Sequence, residues 1–127
     1  MKAVRTKSGF TLIELLVVLA VIATLLTIAL PRYFSSIEKS REAVLQQNLA
    51  MLRDTLDKYY GDKGKYPAAL DELVSSKYLR SMPVDPMTGS NATWVGIPPA
   101  QPEMGGVYDV RSGAQGVARD GTEYQKW

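Results

Sequence analysis

The sequence predicts an α+β chain: one long N-terminal helix, apolar in its first half and amphipathic in its second, packed against a small antiparallel β-sheet of about three strands. Three observations carry this prediction. Residues 10–30 form an apolar run whose one charge is Glu14. Ile37, Val44, Leu45, Leu49, Leu52, Leu56 and Tyr59 or Tyr60 then recur at three- and four-residue spacing, the pattern of a helix with one buried face. Past Gly61-Asp62-Lys63-Gly64 the chain breaks into short β-prone stretches separated by Gly and Pro.

The 21 residues from Phe10 to Leu30 would make a helix about 31 Å long, close to the thickness of a hydrocarbon core. Lys2, Arg5 and Lys7 precede it with no acid among them, which predicts a cytoplasmic start and places everything after Leu30 on the far side. A cleaved secretory signal would have a shorter apolar core ending in small residues, whereas this one exits through Ile28-Ala29-Leu30-Pro31-Arg32. Cleavage ahead of the run, between Gly9 and Phe10, would leave the span attached. Glu14 separates these readings. An unpaired charge costs about 2.5–3.5 kcal/mol near the centre of a span and less near its end. Cleavage would free an α-amino group on Phe10, about one turn from Glu14, and a neighbouring copy shifted along the axis would bring its own amine to that carboxylate. The alternative is a glutamate tolerated near the membrane interface.

Lys7-Ser8-Gly9-Phe10-Thr11-Leu12-Ile13-Glu14-Leu15 resembles the class III signal of type IV pilins and of the pseudopilins of type II secretion systems. The resemblance implies a prepilin peptidase that cuts after Gly9, methylation of the new N-terminal Phe10, and filament assembly guided by Glu14. Family pilins also have a proline at the place of Pro31, and this implies a bent but continuing helix. Proline alone would also allow the helix to end there, but the strongly helical pattern that follows favours continuation.

The second half of the long helix carries Ser35, Glu38, Lys39, Arg41, Glu42, Arg53, Asp54, Asp57 and Lys58 on its polar side, with Glu38/Arg41 and Asp54/Lys58 spaced as side-chain pairs. Residues 68–76 read as a short helix with Leu70, Leu73 and Val74 on one side. Met82-Pro83-Val84-Asp85-Pro86 reads as a rigid loop. Candidate strands follow at Thr93–Ile97, Gly106–Arg111 and Thr122–Gln125; in the middle one Val107, Asp109 and Arg111 alternate with Tyr108 and Val110, so one face can be buried.

Gly64-Lys65-Tyr66-Pro67, Leu70, Leu73, Tyr78-Leu79, Pro83-Val84-Asp85-Pro86, Gly106-Val107-Tyr108-Asp109-Val110, Ser112-Gly113 and Trp127 together resemble the major, G-type pseudopilin. The segment between Tyr66-Pro67 and Asp85-Pro86 is shorter than is usual in that family, and Met87 stands where an aromatic residue is common. The resemblance implies three parts: a leader at residues 1–9, an assembly helix at 10–31 and a periplasmic globular domain at 32–127. It implies an inner-membrane protein that joins a periplasmic fibre. Its partners would be copies of itself, minor pseudopilins, an inner-membrane assembly platform and the peptidase. It also implies a calcium ion in the C-terminal loop. Here Gln115 stands near where a family aspartate is expected, leaving Ser112 and Asp120 as candidate ligands. One carboxylate beside Arg119 is a poor donor set for an ion that takes six to eight oxygens, and Asp120-Gly121 also suits a metal-free turn.

Composition narrows the alternatives. The chain has no His and no Cys, which removes Ser-His triads, Cys nucleophiles, the usual zinc sites and disulfides. Asp71 and Glu72 are adjacent on a helix and diverge, a poor acid–base pair. No enzyme is expected, and no cofactor beyond the calcium. Without Lys2, Arg5 and Lys7, 12 basic residues face 13 acidic ones, so no nucleic-acid footprint is expected. Arg111, Arg119, Lys126, Tyr124 and Trp127 have Asp109, Asp120 and Glu123 interleaved. Asn91-Ala92-Thr93 matches a glycosylation acceptor, but a tripeptide this common reads better as a polar turn before a strand. Two other functions fit the same N-terminal features: a type IV pilus subunit for adhesion, motility or DNA uptake, and a membrane-tethered binding domain.

Overall fold

The computed structural model describes Ala3 and residues 7–127. The chain divides into two compact units, Met1–Ile37 and Glu38–Trp127. Helix α1 covers Leu12–Lys63 and runs through Pro31 without interruption. Having no amide proton, Pro31 leaves the Thr27 carbonyl without its usual helical donor. Within the same stretch the Thr24 hydroxyl donates to the Ala20 carbonyl at 2.8 Å and the Thr27 hydroxyl to the Ala23 carbonyl at 2.7 Å. Both hydroxyl protons are thus satisfied inside the helix.

α1 ends at Lys63, where Gly64 adopts φ 75° and returns its amide to the Tyr60 carbonyl at 2.8 Å. A left-handed glycine just past the last turn is the usual helix stop. In the second unit, Leu45, Leu49, Leu52, Leu56 and Tyr59 of α1 are buried. They form one core with Leu73, Trp94, Val107, Val110, Ala114, Ala118 and Tyr124. Val44, expected on that face, stays exposed.

Helix α2 is only Glu72–Ser75, shorter than the pattern at 68–76 predicts. Its Glu72 side chain is used structurally, with Oε1 accepting from the Tyr59 hydroxyl at 3.0 Å and Oε2 from the Ala68 amide at 2.6 Å. Strands β1 (Trp94–Ile97) and β2 (Asp109–Ser112) pair antiparallel, Trp94 opposite Ser112 and Ile97 opposite Asp109.

The α+β class and the helix-on-sheet arrangement hold, and the strand count is corrected from three to two. The third candidate, Thr122–Gln125, contributes a single bridge, Val117 to Glu123, and then tightens into a 3₁₀ turn at Tyr124–Lys126. Tyr124, in that turn, is buried in the core. The middle strand also starts later than Gly106. The Gly106 and Val107 amides both donate to the Pro67 carbonyl, and a side chain at Gly106 would collide with the Ala68 carbonyl oxygen. This close crossing resets the alternation, so Tyr108 is exposed while Val107 and Val110 are buried.

Candidate functional site

The sequence directs attention to the start of α1. Thr11 precedes the first helical residue, and its hydroxyl accepts the Glu14 amide at 3.2 Å, while the Glu14 carboxylate accepts the Thr11 amide at 3.3 Å. This reciprocal pair is a capping box, which satisfies two amides that a helix start leaves without partners. The negative charge also sits at the positive end of the helix dipole. Glu14 therefore has a local anchor within its own chain. The Thr-x-x-Glu spacing before an apolar run signals this arrangement, and the sequence reading missed it by considering only cations as partners.

From Leu12 to Leu30 the large apolar side chains stand between 45% and 76% exposed, and Phe10 is 86% exposed. Taking each side chain's burial as about 1.5–3 kcal/mol, a helix this bare in water is strongly unfavourable. It is long and apolar enough to cross a membrane. Gly9 and Phe10 lie in exposed chain without regular structure just ahead of it. Lys2 and Arg5, two of the three basic residues ahead of the run, lie outside the described residues.

The two calcium candidates are engaged separately. Ser112 is buried, its hydroxyl donating to Asp85 and accepting the Ala114 amide at 3.0 Å. Asp120 is exposed, and its Oδ1 accepts both the amide and the hydroxyl of Thr122. Those bonds lower the Asp120 pKa from its ordinary value. Asp85, read only as part of a rigid loop, has no solvent exposure and also accepts the Met87 amide at 2.8 Å. Of the basic and aromatic residues near the C-terminus, Tyr124 is buried edge-on to Trp127, and Lys126 lies 3.4 Å from Glu123.

An uncovered apolar helix begun by Thr-x-x-Glu and joined to a two-stranded globular unit defines a helix-anchored subunit. Sequence comparison agrees. Residues 4–30 match the family described as the prokaryotic N-terminal methylation motif. The chain is 30% identical to a fimbrial protein, EcpC, of Eikenella corrodens over 93% of its own length and 80% of the relative's. It is 28% identical to the type II secretion system core protein G of Klebsiella pneumoniae over 94% and 93% of the two chains. Over 56% of its length and 44% of the relative's, it is 39% identical to the type IV major alpha-pilin of Moraxella bovis. No solved structure matches the chain. The chain belongs to the type IV pilin-like family.

Proposed function

We propose that this chain is the major, G-type structural subunit of a type II secretion pseudopilus. It is held in the bacterial inner membrane by residues 10–31, with residues 1–9 cytoplasmic and removed after Gly9 by prepilin peptidase, and residues 32–127 periplasmic. It carries out no chemical step. Its work is to leave lipid and stack with copies of itself, with minor pseudopilins and an assembly platform at the base, so that the growing fibre moves substrates outward. The observation that carries this reading is the bare apolar helix opening on Glu14. In lipid, the capping box lowers the cost of that carboxylate. In the fibre, the freed Phe10 amine of an adjacent copy displaces the Thr11 amide and pairs with it, where water does not compete. Pro31 weakens the helix locally, letting it bend as it packs.

Two substitutions separate the cap from the ion pair. Glu14→Gln keeps an acceptor for the Thr11 amide, because glutamine also completes a capping box, but it has no charge. Glu14→Ala loses both. Both variants are expected to insert and be processed normally, and both are expected to fail in fibre assembly. Normal fibres from Glu14→Gln would leave the cap as the residue's whole role and remove the ion pair from the mechanism.

A second reading, a type IV pilus subunit, is favoured by the match to EcpC across nearly the whole chain. Deletion that abolishes twitching or transformation and spares protein secretion would select it.

A further inference from the structure

The segment after β2 has little regular structure of its own, yet it buries Ala114, Ala118 and Tyr124. Four side chains gather it, Glu42 and Arg53 from α1 and Asp120 and Thr122 from the segment itself. Glu42, on α1, places Oε1 2.9 Å from the Arg119 amide and 3.1 Å from the Tyr124 hydroxyl. One carboxylate oxygen thus accepts from both ends of the reversal at residues 119–124. Inside that reversal, Asp120 holds Thr122, and the Thr122 hydroxyl oxygen accepts the Trp127 indole N–H at 2.7 Å. Arg53, also on α1, donates from Nη2 to the Trp127 backbone oxygen at 2.6 Å and to the Val110 carbonyl at 3.0 Å, and from Nε to Asp109 at 2.9 Å.

A calcium ion closes a loop by drawing oxygen acceptors to one point. Here the groups drawn together are donors, an amide and a phenol, and the point of convergence is an anion. The two candidate side chains already have partners: the Ser112 hydroxyl bonds Asp85 and the Ala114 amide, and Asp120 Oδ1 accepts from Thr122. Arg119 adds a positive charge to the same loop. Among the described residues no group of three or more His, Cys, Asp or Glu could hold a metal. These residues do not fit the calcium ion that the family resemblance implies. Burial first, and then the bond to Glu42, raise the Tyr124 phenol above its ordinary pKa, so it remains a donor across the neutral range.

We propose that the C-terminal reversal closes on the Glu42 carboxylate of α1, which occupies the organising role that a bound cation would have, so that this loop folds without calcium. Glu42 is then a positioning residue of the globular unit, and the inference stands whether the fibre belongs to a secretion system or a pilus.

The test is amide hydrogen exchange on the full chain in detergent micelles, with calcium and with a chelator, for wild type, Glu42→Ala and Glu42→Gln. Protection of the Arg119 and Thr122 amides in wild type is expected to be the same in both solutions. Glu42→Ala is expected to speed Arg119 exchange on the order of tenfold or more, the effect of losing a hydrogen bond to a charged acceptor, while the Leu52 and Leu56 amides keep their protection. Glu42→Gln, which retains an acceptor oxygen, falls between. If Glu42→Ala also exposes the core amides, the glutamine variant and the wild-type calcium comparison decide. Wild-type protection at Arg119 that disappears on chelation, or that is unchanged in both variants, would overturn the proposal.

Discussion

Asp85→Ala removes a carboxylate with no solvent exposure on which three donors converge. The Met87 amide lies at 2.8 Å, the Thr88 amide at 3.4 Å, and the Ser112 hydroxyl bonds the other oxygen. The bond at 3.4 Å is long and adds little. The other two, each to a charged acceptor, contribute about 1.5–3 kcal/mol apiece, so the substitution is expected to cost about 3–6 kcal/mol. That is a large share of the roughly 5–15 kcal/mol by which a domain is stable. The Ser112 hydroxyl would be stranded where water does not reach, and the part-buried Met87 amide would lose its acceptor. Asp85→Asn keeps the shape and the acceptor for Met87 but turns an amide toward Ser112, leaving one buried hydroxyl proton without an acceptor, for a smaller loss of about 1–3 kcal/mol. Equilibrium urea unfolding of the full chain in detergent measures both. Tryptophan fluorescence reports the transition, because the Trp94 indole donates to the Pro83 carbonyl at 2.7 Å, beside the same loop. A loss below about 0.5 kcal/mol for Asp85→Ala, the range of an ordinary surface change, would refute the view that this residue pins the loop to β2.

Three further outcomes are expected. The hydroxyls of Tyr66, Tyr78 and Tyr124 are all raised above the ordinary phenol value, Tyr78 chiefly by its hydrogen bond to Asp62 and the other two chiefly by burial. Above pH about 10 the unfolded chain therefore loses these protons before the folded chain does, and stability falls as pH rises. Unfolding measured at a series of alkaline pH values should show this slope, and Tyr78→Phe should flatten it. The reverse sign holds for Asp120, whose contribution is present at neutral pH and fades in acid below the ordinary aspartate range. Mass spectrometry of the chain isolated from cells with active prepilin peptidase should find Phe10 first and one added methyl group. Recovery of Met1 on a stable, membrane-bound chain would contradict the processing step.

How far the sequence was legible depends on the range of the interaction. The α1 core face follows from local periodicity, because Leu45, Leu49, Leu52, Leu56 and Tyr59 repeat at a spacing that a helix alone imposes. Val44 fits the same spacing loosely but stays exposed, since one residue of rotation moves it off the packed stripe. Gly64 stopped the helix where a glycine should. The Thr11–Glu14 box was equally local and could have been read from its spacing. What was not legible was set by distant partners. The start of β2 depends on the chain crossing the Pro67–Ala68 backbone at Gly106, and the lost third strand depends on Tyr124 turning inward to reach Glu42, 82 positions earlier. Asp85 looked like loop punctuation between two prolines because its partner, Ser112, lies 27 positions further on. Electrostatic and hydrogen-bond closure of this kind leaves no periodic trace in a single sequence.

The most direct test of the account is a structure of the intact fibre at a resolution that shows side chains. It is expected to place the Phe10 nitrogen of one subunit about 3 Å from the Glu14 carboxylate of its neighbour, inside a bundle of the apolar helices. A fibre in which Glu14 faces lipid or solvent with no nitrogen near it would contradict the assembly role given to that residue.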